Sequence, residues 1–74
     1  MNEKHLDCKG LQCPGPIVKL FRTAKECQPG DILVMEATDK GFRSDVAAWC
    51  ERTGNKLVSI EEEGGVVVAR IEKV

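Results

Sequence analysis

The 74-residue chain has no tyrosine, and Phe21, Phe42 and Trp49 are its only aromatic residues. A surface that binds nucleic acid usually shows stacking rings or a basic stripe that tracks the phosphates. Lys and Arg number 11 against 12 Asp and Glu, the net charge is −1, and no basic run occurs. DNA binding is therefore not expected, and the composition argues against direct RNA binding. Long apolar runs are missing as well. No stretch approaches the roughly 18 apolar residues that would cross a membrane. The opening MNEKHLDCKG lacks the apolar segment of a secretory signal. Membrane insertion is not expected, and the cytoplasm is the expected compartment.

Four cysteines are present: Cys8, Cys13, Cys27 and Cys50. In a reducing cytosol such residues stay as thiols or do chemistry rather than form staples. Cys27 and Cys50 fall on helical segments whose faces are committed to a core, which argues against zinc. No metal and no cofactor are expected. The lone histidine, His5, reads as a solvated or strand-edge residue.

What is present is a regular alternation. His5 to Cys8 is a short strand, closed by Lys9-Gly10. From Pro14 to about Cys27, Ile17, Leu20, Phe21 and Ala24 recur at i, i+3, i+4 and i+7, the period of an amphipathic helix. QPGD (28–31) stops it, and ILVMEA (32–37) is an apolar run bounded by turn signals. Phe42, Val46, Trp49 and Cys50 form the stripe of a second helix, with Asp39 as its expected N-cap and Gly54 as its stop. Lys56 to Glu62 and Val66 to Lys73 then make a hairpin about Gly64-Gly65, with Glu61, Glu62 and Glu63 at a solvated tip. The order is βαβαββ. Right-handed crossovers put both helices on one face of a four-stranded mixed sheet, a two-layer α/β (α+β) sandwich. Residues 1–74 form one domain in this reading.

The segment CPGP (13–16) places two prolines where a helix begins. The first four amides of a helix have no internal acceptor, so proline is harmless there. With Cys13 as N-cap, Pro14, Gly15 and Pro16 fill the first turn, and Pro14 holds Cys13 extended. A thiol so placed meets free amides and the positive end of the helix dipole, which favours the reactive thiolate. Gly15 keeps bulk away from the sulfur. The competing reading is a small core residue that merely packs.

The string Leu6-Asp7-x-x-Gly10-x-x-Cys13-Pro14-x-Pro16, with QPGD and TDKGFRSDVAAWC after it, resembles the TusA/SirA-like family of small sulfur carriers. The resemblance covers nearly the whole chain. It implies the same βαβαββ fold and a persulfide held on Cys13, with Asp7, Gly10, Pro14, Gly15 and Pro16 as motif support. It also implies a donor, such as a cysteine desulfurase or another sulfurtransferase, and an acceptor protein that leads to tRNA thiolation or sulfur metabolism. The rival function is a thiol–disulfide or sulfur-releasing module in which Cys8 attacks the Cys13 persulfide, for instance in handling thiosulfate-derived sulfur. A third class is a non-catalytic binding domain. Lys9, Lys19, Arg22 and Arg43 are the candidates for partner docking, with Lys19 and Arg22 expected to face water. Cys27 and Cys50 are expected to pack.

Overall fold

The computed structural model describes residues 2–12 and 15–74. Along them run β1 (Glu3–Cys8), α1 (Gly15–Glu26), β2 (Ile32–Ala37), α2 (Phe42–Thr53), β3 (Lys56–Glu63) and β4 (Val66–Glu72). This is the expected order. β1 starts earlier than its hydropathy suggests because Glu3 and Lys4 pair with Ile32 and Leu33. Pairing, not apolar content, extends the strand.

The sheet has the order β1-β2-β4-β3, with β1 parallel to β2 and β4 antiparallel to both of its neighbours. Side chains alternate faces along a strand, so register decides what is buried. Leu6, Met35 and Ala69 lie in one row across the sheet, and Cys8, Ala37 and Val67 in the next. All six are buried. Against them α1 sets Pro16, Leu20 and Ala24, and α2 sets Phe42, Val46 and Cys50. Phe42, Leu20, Leu33, Met35 and Ile71 are among the fully buried side chains. Each large one contributes about 1.5–3 kcal/mol relative to exposure. The opposite face of the sheet carries Glu3, His5, Asp7, Glu36 and Arg70 toward solvent, and His5 Nε2 lies 2.9 Å from Glu3 Oε1.

The turns follow the local chemistry. Gly64 and Gly65 both have positive φ (58° and 82°), as a two-residue hairpin turn between right-twisted strands requires. Gly54 ends α2 in the left-handed region, its amide bonded to the Cys50 carbonyl at 2.9 Å. The start of α2 differs from expectation: Gly41 occupies the N-cap and makes no side-chain cap bond. Asp39 acts earlier, its carboxylate accepting the Gly41 amide at 2.9 Å and its carbonyl accepting the Phe42 amide at 3.2 Å. Aspartate commonly folds back on the backbone two residues ahead, and here that turn replaces the cap. α1 ends one residue before Cys27, whose thiol instead donates to the Thr23 carbonyl at 3.4 Å.

The QPGD turn is pinned by Asp31, which is buried at 8 % exposure. Its carboxylate accepts the Gln28 amide at 2.9 Å and the Asn2 amide at 3.3 Å. One side chain thereby ties the entry of β2 to the start of β1.

Candidate functional site

The C-terminal ends of β1 and β2 leave the sheet side by side, since Cys8 pairs with Ala37. Two loops follow, one entering α1 and the other entering α2. They are joined where the Gly10 amide donates to Thr38 Oγ1 at 3.0 Å. Gly10 has φ 83°, a conformation that a side chain would strain, which accounts for glycine in the motif. Asp7 accepts the Lys9 amide at 3.1 Å, and the Leu11 amide donates to the Cys8 carbonyl at 3.1 Å. The chain thus turns sharply at the strand end. The Gly15 amide donates to the Gln12 carbonyl at 2.7 Å, a bond that ties together the residues flanking Cys13-Pro14.

The N-cap role of Cys13 and the first-turn role of Pro14 lie outside the described residues. Gly15 and Pro16 open α1, and Pro16 is fully buried. Gly15 lies close against the loop at Leu11. A Cβ there would lie 3.3 Å from Leu11 Cβ, so glycine lets the loop pack closely on the helix start.

Between the two loops lies a shallow depression of about 340 Å³ lined by Gly10, Leu11, Gln12, Thr38, Asp39 and Lys40. A second, of about 310 Å³, continues from Thr38, Asp39 and Lys40 to Arg43, Glu62 and Gly65. Arg43 Nη1 lies 3.4 Å from Glu62 Oε1, which partly neutralises it. These are open grooves, not an enclosed substrate cavity. Among the described residues, no group of three or more His, Cys, Asp or Glu side chains could hold a metal ion.

Cys8, Cys27 and Cys50 are buried free thiols. Burial pushes all three thiols above the ordinary range, Cys8 against an opposing influence from Lys19. Cys8 is fully enclosed rather than half-exposed at the strand end. Lys19 does not simply face water: its ammonium donates to the Asp7 carbonyl at 3.3 Å, because helical side chains lean toward the helix start. Lys9 and Arg22 are exposed as expected.

Phe21 departs most from its sequence pattern. It fits the apolar period of α1, yet it is 49 % exposed, with Leu11 at 40 % and Val18 at 43 %. Leu20 and Ala24 take the core positions, which rotates Phe21 to the rim. Lys25 Nζ sits 4.4 Å from the centre of its ring. The signal available in sequence was the spacing Val18, Phe21, Arg22, Lys25, which puts two apolar and two basic residues on one outer stripe.

The described residues thus form a two-layer α/β domain with a buried core and open grooves between two joined loops at one end. The family described as sulfurtransferase TusA matches residues 4–73, and the chain belongs to that family. It is 40 % identical over 72 residues to YrkI of Bacillus subtilis strain 168, named as a candidate sulfur carrier protein, covering 97 % of this chain and 96 % of YrkI. It is also 40 % identical over 63 residues to the sulfur carrier protein TusA of Allochromatium vinosum, covering 85 % and 83 % of the two chains. A candidate sulfur carrier protein of Aquifex aeolicus is 37 % identical over 71 residues, and there this chain spans only 36 % of the relative.

Proposed function

We propose that the protein is a sulfur carrier that holds sulfane sulfur as a persulfide on Cys13 and relays it from a donor protein to an acceptor. What supports this reading is the family membership together with the burial of Cys8, Cys27 and Cys50 in the core, which leaves the motif cysteine as the candidate carrier. The step is redox-neutral. The Cys13 thiolate attacks the outer sulfur of a donor persulfide, the donor S–S bond breaks, and the donor leaves as a thiolate. The acceptor thiolate then attacks the outer sulfur on Cys13 in the same way. Asp7, Gly10, Gly15 and Pro16 shape the loop and helix start, and Pro14 is proposed to hold Cys13 extended.

The grooves among the described residues are open, so the partners are proposed to exclude water and align the sulfur. The exposed stripe of Leu11, Val18 and Phe21, flanked by Arg22 and Lys25, is the proposed contact for an apolar surface rimmed with acidic side chains. Lys9 adds positive charge at the loop. The cytoplasm is the proposed compartment, with a cysteine desulfurase or another sulfurtransferase as donor and tRNA thiolation or sulfur metabolism as destination.

The rival reading, release of sulfur by attack of Cys8 on the Cys13 persulfide, has less support. A fully buried thiol with a raised pKa is a poor nucleophile until the strand end opens.

The test is mass spectrometry after incubation with a cysteine desulfurase and cysteine. The peptide carrying Cys13 should gain one sulfur atom, removable by a thiol reductant and absent in Cys13→Ser. No gain on Cys13, with the donor active toward another acceptor, would overturn the reading.

A further inference from the structure

The strand order β1-β2-β4-β3 leaves the sheet with two free edges, β1 and β3. A free edge is a template for another strand, and folded proteins blunt it with bulges, charges or a covering side chain. β3 has a register shift between Leu57 and Ser59 and ends in the like charges of Glu61, Glu62 and Glu63. β1 has neither device: Glu3–Cys8 pairs with Ile32–Ala37 residue for residue, without a break. The Ile32 amide donates to the Asn2 carbonyl at 2.8 Å, so the even-numbered residues of β1 turn their backbone groups toward β2. The N–H and C=O groups of Glu3, His5 and Asp7 therefore point outward. Onto this edge α1 extends Lys19, whose ammonium lies 3.3 Å from the Asp7 carbonyl.

We propose that the outer edge of β1 is a pairing surface for a second copy of this chain, and that Lys19, seated on the Asp7 carbonyl, keeps it closed.

The second copy fits because β1 is complementary to itself in one antiparallel register. Helix-facing residues must meet helix-facing residues, or the extended sheet loses its single buried face. With Leu6 opposite Leu6 of the second copy, His5 meets Asp7, Lys4 meets Cys8, and Glu3 meets Lys9 just past the strand end. No like charges face each other. Sliding two residues one way sets Glu3 against Asp7, and sliding the other way sets Asp7 against Asp7, both repulsive. In the favoured register His5 and Asp7 exchange their backbone N–H and C=O groups across the two copies. The Asp7 carbonyl would then receive the His5 amide of the second copy, and that acceptor is the one Lys19 occupies. An incoming strand has to displace the ammonium first.

Sedimentation velocity over a wide range of concentration tests this, with a thiol reductant present so that disulfides do not contribute. Wild type and Lys19→Arg should stay monomeric. Lys19→Met and Lys19→Ala should form dimers, with a Kd lower by about tenfold or more, equivalent to about 1.4 kcal/mol. Two neutral variants are used so that the result survives if one of them fails to fold. Adding His5→Pro to either should restore the monomer, because it removes only an outward N–H, a loss that an edge strand tolerates. Amide hydrogen exchange locates the contact independently: the His5 and Asp7 amides should gain protection in the dimer. Neutral variants as monomeric as the wild type would overturn the proposal. So would a wild type that dimerises equally well, dimers that persist with His5→Pro, or dimers that leave the His5 amide unprotected. Sedimentation needs no sulfur donor, so this result is independent of whether Cys13 gains sulfur.

Discussion

Replacing Cys8 distinguishes a carrier from a sulfur-releasing module, and the structure sets how large each effect should be. The side chain is fully buried, in register with Ala37 and through it with Val67, beneath the two helices. Cys8→Ala removes one sulfur from this packing, a change comparable to losing a methyl group from a core, which costs about 0.5–1.5 kcal/mol. Cys8→Ser keeps the volume but buries a hydroxyl, and an unsatisfied one costs about 1–3 kcal/mol. For a domain of this size each kcal/mol moves the unfolding midpoint by about 4–8 °C. Serine, the closer mimic in shape, should therefore be the more damaging substitution unless its hydroxyl finds a backbone acceptor.

Function should respond in the opposite sense from stability. Burial raises the Cys8 thiol, Lys19 lowers it by less, and Asp7 raises it further. Even an unperturbed thiol with a pKa of about 8.5 is only a few per cent ionised at neutral pH. Fully buried, Cys8 is also closed to an incoming persulfide as long as the core around it stays packed. Below their unfolding midpoints, Cys8→Ala and Cys8→Ser should thus accept and pass on sulfur at close to the wild-type rate. Unfolding is followed by the fluorescence of Trp49, the single tryptophan, and transfer by the mass of donor and acceptor. The reasoning fails if the loaded wild type collapses to a Cys8–Cys13 disulfide with release of sulfide, while folded Cys8→Ala stalls with its persulfide intact.

Two further outcomes test the frame and the docking surface. Asp31 is held below the usual carboxylate range, most of all by the Gln28 amide; burial opposes this, and the Asn2 amide adds a lesser lowering. Its folded pKa lies below its unfolded one, so its contribution is complete above about pH 4, the unfolded value, and is lost as pH falls through the folded value. Asp31→Asn should lower the melting temperature at pH 7 and flatten its acid-side decline, and an unchanged acid profile would show that other carboxylates govern it. Phe21→Ala should leave the unfolding midpoint nearly unchanged because the ring is half in water, yet weaken binding to the sulfur donor. Phe21→Glu should weaken it more by adding negative charge toward an acidic rim. Unaltered donor affinity in both would remove the stripe from the interface.

Legibility in the sequence followed the range of the forces involved. The β2 run, the Gly64-Gly65 turn and the Gly54 stop are set by neighbours in the chain, and each falls where its local pattern put it. Strand order is set by the whole fold, and nothing local announces that β4 lies between β2 and β3. Phe21 fits a core period equally well on paper. Its exposure depends on how α1 is rolled against the sheet by Pro16, Leu20 and Ala24. Asp39 shows a different limit: the residue type was right for the start of α2, but a turn and a cap draw on the same chemistry, and only the position of Gly41 decides between them. For the site, CPGP is the sequence pattern behind the proposed cysteine, while the Lys19 bond to the Asp7 carbonyl joins residues twelve positions apart and has no local signal.

A net charge of −1 conceals a separation that gives the carrier a direction. The open face of the sheet presents Glu3, Asp7, Glu36, Glu61 and Glu72 against Lys56 and Arg70, whereas α1 presents Lys19, Arg22 and Lys25 with only Glu26 against them. An acidic partner surface is repelled by the first and drawn to the second, before any contact forms. Phe21 lies six residues beyond Gly15, about 9 Å along the helix at 1.5 Å per residue. A partner burying about 800 Å² of this domain would cover both Phe21 and the helix start. Docking through the stripe therefore delivers the partner to the end of the molecule that bears Cys13. The same apolar period that builds the core of α1 also leaves Val18 and Phe21 uncovered, so one helix both holds the fold together and carries the proposed docking stripe.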